Sequence, residues 1–182
     1  SRPTPRRVNA GCVYMARIRA ASTAGSRSAA LLRDDWSPPY SVARRPQPPH
    51  VETGTACAAP PPGDAEVLFD GRDLSKWTGD HMNEWTLKDG TVTAGGRVYN
   101  FLRTKASYGD VQIHLEWKTP EQTNPPVNPQ RRGNSGVFPM GLYEVQILDS
   151  YKTDTYPDGA AGSIYSQFPP LVNATRPPGA WQ

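Results

Sequence analysis

Asp110-Val111-Gln112-Ile113-His114-Leu115-Glu116-Trp117 is the stretch on which the fold turns. Val111, Ile113, Leu115 and Trp117 alternate with Gln112, His114 and Glu116. That period of two puts an apolar row on one face of a strand and a polar row on the other. An antiparallel sheet with one face on a core reads this way. Residues 143–149 repeat the scheme, with Tyr143, Val145 and Ile147 inward and Glu144 and Gln146 outward. Upstream, Trp85-Thr86-Leu87 and Thr91-Val92-Thr93-Ala94 flank Lys88-Asp89-Gly90, a hairpin signal in which glycine supplies the positive φ of a tight turn. Further short strands are expected at residues 67–69, 98–103, 136–140 and 163–165. No stretch carries a helical stripe. Many short strands between Gly- and Pro-containing turns predict an all-β chain, an antiparallel sandwich or barrel. The chain stops at Trp181-Gln182 without a closing strand, which predicts a sheet truncated on its C-terminal side.

Residues 1–62 are of another composition. They hold nine Arg and no Lys against Asp34, Asp35 and Glu52, a net charge of +6, whereas residues 63–182 carry eleven basic and fourteen acidic residues, a net of −3. Only seven of the first 62 are Leu, Ile, Val or Phe, below the ~20% at which a charged chain can bury enough to fold. Residues 1–62 are therefore expected to be a disordered arm, and residues 63–182 a partial β-sandwich domain. The arm's arginines are scattered, with no aromatic interleaving to stack bases, so no nucleic-acid partner is expected. Arg17, Arg19, Arg27 and Arg33 interrupt any signal-peptide core around Met15. The longest aliphatic run, Ala29 to Leu32, is far from a membrane span. The two cysteines, Cys12 and Cys57, give neither a disulfide framework nor a zinc spacing. Oligomeric state is not encoded in any pattern found.

Chemistry concentrates on the polar rows. If the strands around 110–117 and 143–149 pair, then His114, Glu116, Glu144 and Gln146 form one patch. Carboxylates and an imidazole move protons, and amides hold sugar hydroxyls. An ordinary solvated sheet face explains the same alternation equally well. Gly133-Asn134-Ser135-Gly136, preceded by Arg131 and Arg132, lies where the Pro-rich loop 119–133 meets a strand. Glycines there admit a ligand to the backbone, and guanidiniums hold anions; the plainer reading is a tight turn. Asp149, Asp154 and Asp158 lack EF-hand spacing and read as turn formers. Asn173-Ala174-Thr175 satisfies the N-glycosylation rule.

Several strings together resemble one family. Leu68-Phe69-Asp70-Gly71-Arg72-Asp73-Leu74-Ser75-Lys76-Trp77 is similar to the opening of the bacterial 3-keto-disaccharide hydrolase domain. Gly109-Asp110-Val111 leading into Leu115-Glu116-Trp117, then Gly133 to Phe138, then Tyr143 to Tyr151, continue the likeness in order. Ala161-Gly162-Ser163-Ile164-Tyr165, Pro169 to Ala174 and Arg176-Pro177-Pro178-Gly179 complete it. The resemblance implies a concanavalin-like jelly-roll sandwich, often in exported proteins, acting on glycosides oxidised to a ketone at C3. Members of that family continue past the Trp-Gln pair with further strands.

A 3-keto group acidifies the C2 proton, so a base removes it and the glycosidic oxygen leaves C1; water addition completes a net hydrolysis. Chemistry applied to the motif positions makes Glu144 the base and Glu116 or His114 the acid. It puts Arg132 or a divalent metal at the ketone, and Gln146, Asn134 and Ser135 on the sugar. Two rivals stand beside this reading: a non-catalytic carbohydrate-binding module, and a glycosidase using Glu116 and Glu144 directly.

Overall fold

The computed structural model describes residues 11–19, 45–53, 60–61, 63–94, 100–121, 125 and 127–182, the first of these as backbone only. Among them every regular element is a strand or a single 3-10 turn, and no α-helix occurs. In chain order the strands are β1 (Gly11–Arg19), β2 (Glu66–Phe69), β3 (Trp77–Thr78), β4 (Thr86–Lys88) and β5 (Thr91–Thr93). They continue with β6 (Arg103–Thr104), β7 (Val111–Lys118), β8 (Ser135–Val137) and β9 (Val145–Ile147). The all-β expectation holds. No described helix is long and apolar enough to cross a membrane.

The hairpin forms as its sequence dictates. Asp89 and Gly90 both take positive φ, 51° and 68°, the pair a two-residue turn needs if its twist is to match its strands. Thr86, Leu87 and Lys88 then face Thr93, Val92 and Thr91 across an antiparallel ladder. Val92 is buried beneath it. A small core gathers around Leu68 and Trp77, with Leu74, Met82, Leu102, Val111 and Leu115 against it. The Trp77 indole N–H donates to the Leu68 carbonyl at 2.8 Å, so the ring is buried with its polar atom satisfied.

Two expectations are corrected. First, β7 does not pair with β9: β7 lies against β1 in a five-stranded sheet, while β9 pairs with β8 in a separate two-stranded one. Alternation gives each strand a polar face but not its neighbour. Second, that five-stranded sheet is mixed, because β1 runs parallel to β2, β5 and β7. Within the segment expected to be disordered, Gly11–Arg19 holds Val13, Tyr14 and Ile18, residues of high strand propensity, and pairs with β7. Residues 45–53 pack on the domain: the Val51 amide donates to the Asn173 carbonyl at 3.0 Å and the Asn173 amide donates to the Pro49 carbonyl at 2.9 Å, with Pro48 buried. Apart from residues 60–61, the remainder of the 1–62 reading lies outside the described residues, as do residues 98–99 of the strand expected at 98–103.

Residues 163–165 make only isolated bridges, Ile164 to Val145 and to Phe168. The chain's last residues close on β7, where the amides of Trp117 and Gln182 donate to each other's carbonyls at 2.9 and 2.8 Å. Lys118 lies over the Trp181 ring, 5.0 Å from its centroid.

Candidate active site

The apolar rows of β7 and β9 face one another across a gap. Ile113, Leu115 and Trp117 from β7, with Val137, Val145 and Ile147 from β8 and β9, line a cavity of about 470 Å³. Strand alternation therefore sends His114 and Glu116 to the far side of β7. There His114 Nε2 lies 3.9 Å from Glu116 Oε1. Glu144 lies just before β9, with its carboxyl against the Gln146 amide.

Around Glu144 the structure does gather a constellation. The row expected to face solvent is covered: Gln146 is buried, because residues 128–134 and 155–159 fold over that face of the hairpin. Asn128 starts the cover by accepting the Gln130 amide at 2.9 Å. Gln130 then donates through Nε2 to Thr155 Oγ1 at 2.7 Å and to the Gly159 carbonyl at 2.9 Å. Asn134 donates to the Gln130 carbonyl at 2.8 Å.

The Gln146 amide sits at the centre. With its nitrogen toward Glu144 it donates to the Ser135 carbonyl at 2.9 Å and to Glu144 Oε1 at 3.1 Å. In this orientation the amide nitrogen supports the ionised carboxylate.

Glu144 itself is half-buried, and burial pushes its carboxyl above the usual range. Beside it the hydroxyls of Tyr156 and Tyr165 bond to each other, and their rings meet edge to face at 5.9 Å. Burial first, then the bond to Tyr165, drives the Tyr156 phenol strongly up, with Asp158 and Glu144 adding to the shift. The Tyr165 amide donates to the Glu144 carbonyl at 2.9 Å. The pattern of residues 143–149 gave no hint of this phenol pair, because its members come from two irregular loops. The only sequence signal is that Tyr165 closes the string Ala161-Gly162-Ser163-Ile164-Tyr165.

The other expected residues are placed as follows. Ser135 and Asn134 border the Gln146 amide. Arg132 is turned to Asp149, donating through Nε and Nη2 to Oδ2 at 3.0 and 2.7 Å, and the Asp149 amide donates to the Arg132 carbonyl at 2.8 Å. Its cation is thus committed to a buried carboxylate. Asn173 is buried, donating to the Ser150 carbonyl at 2.8 Å and accepting from Thr175 Oγ1 at 2.7 Å; the glycosylation tripeptide is a folding contact. Among the described residues no group of three or more His, Cys, Asp or Glu comes together as a metal site.

Comparison with known proteins agrees with this geometry at the level of the family. Comparison with curated proteins gives no significant match. A solved structure, that of a candidate glycosyl hydrolase from Parabacteroides distasonis, is 45% identical and superposes with a TM-score of 0.57 over 65% of this chain and 50% of that one. The chain spans about half the length of this solved relative. Residues 64–182, which include β2 to β9 and the whole Glu144 constellation, match the 3-keto-alpha-glucoside-1,2-lyase-like domain, and the chain belongs to that family.

Proposed function

We propose that the chain processes 3-keto-glycosides or 3-keto-disaccharides within a concanavalin-like jelly-roll sandwich, Glu144 removing the C2 proton. The observation that carries this reading is a half-buried carboxyl, held above its usual range by burial, with the Gln146 amide donating to it. A carboxyl so raised suits a base that must accept a proton and later return it. As Glu144 takes the C2 proton, the C–H electrons form the C1–C2 double bond and the C1–O bond breaks. The leaving oxygen takes a proton from Tyr165, the more exposed of the two phenols. Tyr156 keeps its own proton at neutral pH and returns the hydrogen bond. Water then adds at C1, its hydroxyl going to C1 and its remaining proton to Tyr165, and Glu144 gives its proton back to C2, so the sum is hydrolysis. Asn134 and Ser135 edge the site where sugar hydroxyls would lie.

A glycosidase that used Glu116 and Glu144 directly would need both carboxyls to flank one glycosidic bond. The experiment offers the full chain a 3-keto-glucoside and its unoxidised parent. Turnover of the first alone supports the proposal. Turnover of the parent sugar contradicts it, and binding of both without turnover supports a carbohydrate-binding module instead.

A further inference from the structure

We propose that Arg45 is a positioning residue for the Glu144 site: from a strap of residues 45–53, which precedes the matched domain, it anchors Asp158 and so fixes the loops that hold Glu144 and its phenol pair. Arg45 Nη1 donates to Asp158 Oδ2 at 3.1 Å and also to the Gln167 carbonyl. Asp158 and Gln167 belong to the two loops that carry Tyr156 and Tyr165. A backbone bond already joins these loops, the Ser166 amide donating to the Asp158 carbonyl at 2.9 Å. Arg45 clamps the same junction from outside.

The strap is held along its length. Gln47 Nε2 donates to the Thr155 carbonyl at 2.7 Å, His50 Nε2 lies 3.5 Å from Asp154 Oδ1, and the ladder to Asn173 follows. Thr155 is also the residue whose hydroxyl receives Gln130, so the strap and the amide network meet on one loop.

Charge makes Arg45 more than a fastener. The Asp158 side chain is 3% exposed, and among the described residues its Oδ1 has no hydrogen-bond partner. A carboxylate buried with one oxygen unsatisfied needs a counter-charge. Arg45 supplies it. Among the described residues, Glu144 and Asp158 both act on the Tyr156 phenol, Tyr165 bonds to it, and Arg45 pairs with Asp158. The facing strand contributes Ser135 and Gly136, which carry no charge. Without Arg45 the negative Asp158 acts on Glu144 uncompensated and favours its protonated form.

Only the kinetic consequence rests on Glu144 being the base, so the test reads titration. The Glu144 carboxyl is followed by carbon NMR in the full chain, its signal assigned by loss in Glu144→Gln. In Arg45→Ala the midpoint should rise by roughly half a pH unit or more, in Arg45→Lys it should stay, and in Arg45→Ala with Asp158→Asn it should return. Arg45→Gln gives the same neutralisation with a longer side chain should alanine unfold the protein. Asp158→Asn alone, with Arg45 intact, should lower the midpoint. On a 3-keto-glucoside the acid limb of kcat/KM should move with the midpoint, and kcat should drop about 10-fold in Arg45→Ala. A midpoint indifferent to neutral Arg45 variants, or a shift that persists when Asp158 is also neutral, overturns the proposal. Shifts as expected in a chain that turns over no 3-keto sugar overturn the proposed function and leave Arg45 in its role.

Discussion

Glycine at position 136 is what lets Glu144 lie where it does. A Cβ there would stand 2.6 Å from Glu144 Cγ and 2.8 Å from Cδ, well inside contact distance, so Gly136→Ala must push the carboxyl off the Gln146 amide. Activity should fall about 10²-fold, since small misplacements of a reacting group are costly, while circular dichroism shows the fold retained. Full activity in Gly136→Ala would show that the carboxyl's position is immaterial. The acid also carries a stability signature. Burial holds the Glu144 carboxyl above its ordinary value of 4.5, so the folded chain binds that proton more tightly than the unfolded chain does. Its contribution to stability is intact below the ordinary value and is lost as pH rises through the higher folded one. Glu144→Gln should therefore melt higher than the parent near neutral pH, and that advantage should vanish at about pH 4. An advantage of equal size at both pH values would contradict a raised carboxyl. The acid was legible as a polar residue in an alternating run. Its burial was not, because the covering residues, Gln130 and those at 155–159, lie far off in sequence.

At the scale of elements, β8 and β9 form the platform, and the Arg132–Asp149 pair ties the residues just before β8 to those just after β9. Asp149 is 4% exposed on its side chain and Arg132 16%. Removing the cation leaves a buried charge alone, at a cost of about 3 kcal/mol. Arg132→Ala should lower the denaturant midpoint accordingly, and Asp149→Asn in the same chain should recover part of the loss; destabilisation that Asp149→Asn does not relieve would mean that the pair is not the cause. The hairpin of β4 and β5 was readable because Asp89-Gly90 specifies its own turn. The partnership of β7 was not, since Gln112, His114 and Glu116 carry the same alternation whichever strand lies beside them. His114 lies beside Glu116, its Nε2 3.9 Å from Oε1, and alternation alone does not choose between a solvated sheet face and a site for it. Arg132 followed the same logic: a guanidinium beside a glycine turn reads as an anion site until the buried Asp149 claims it.

For the whole molecule, composition averages over the first 62 residues and so does not single out a stretch that packs on the domain. Seven aliphatic residues cannot make a core of their own, yet residues 45–53 need none: Pro48 and the Val51–Asn173 ladder use a surface the domain already offers. Hydrogen exchange should show the Val51 and Asn173 amides protected together and released together on denaturation. Exchange of Val51 at the rate of a free chain would detach the strap. The cavity of about 470 Å³ between the apolar rows should take up an apolar dye such as anilinonaphthalene sulfonate, with energy transfer from Trp117 on its wall; dye fluorescence without that transfer would place binding elsewhere. The proposed function takes its sugar from the family likeness and its proton transfer from Glu144. The measurement that joins them follows hydrogen at C2 of a 3-keto-glucoside in deuterated water by proton NMR, with the parent chain and with Glu144→Gln. The account predicts deuterium at C2 with the parent chain and a rate ~10²–10⁴-fold lower in Glu144→Gln, with sugar affinity little changed. Exchange that proceeds undiminished in Glu144→Gln would contradict it.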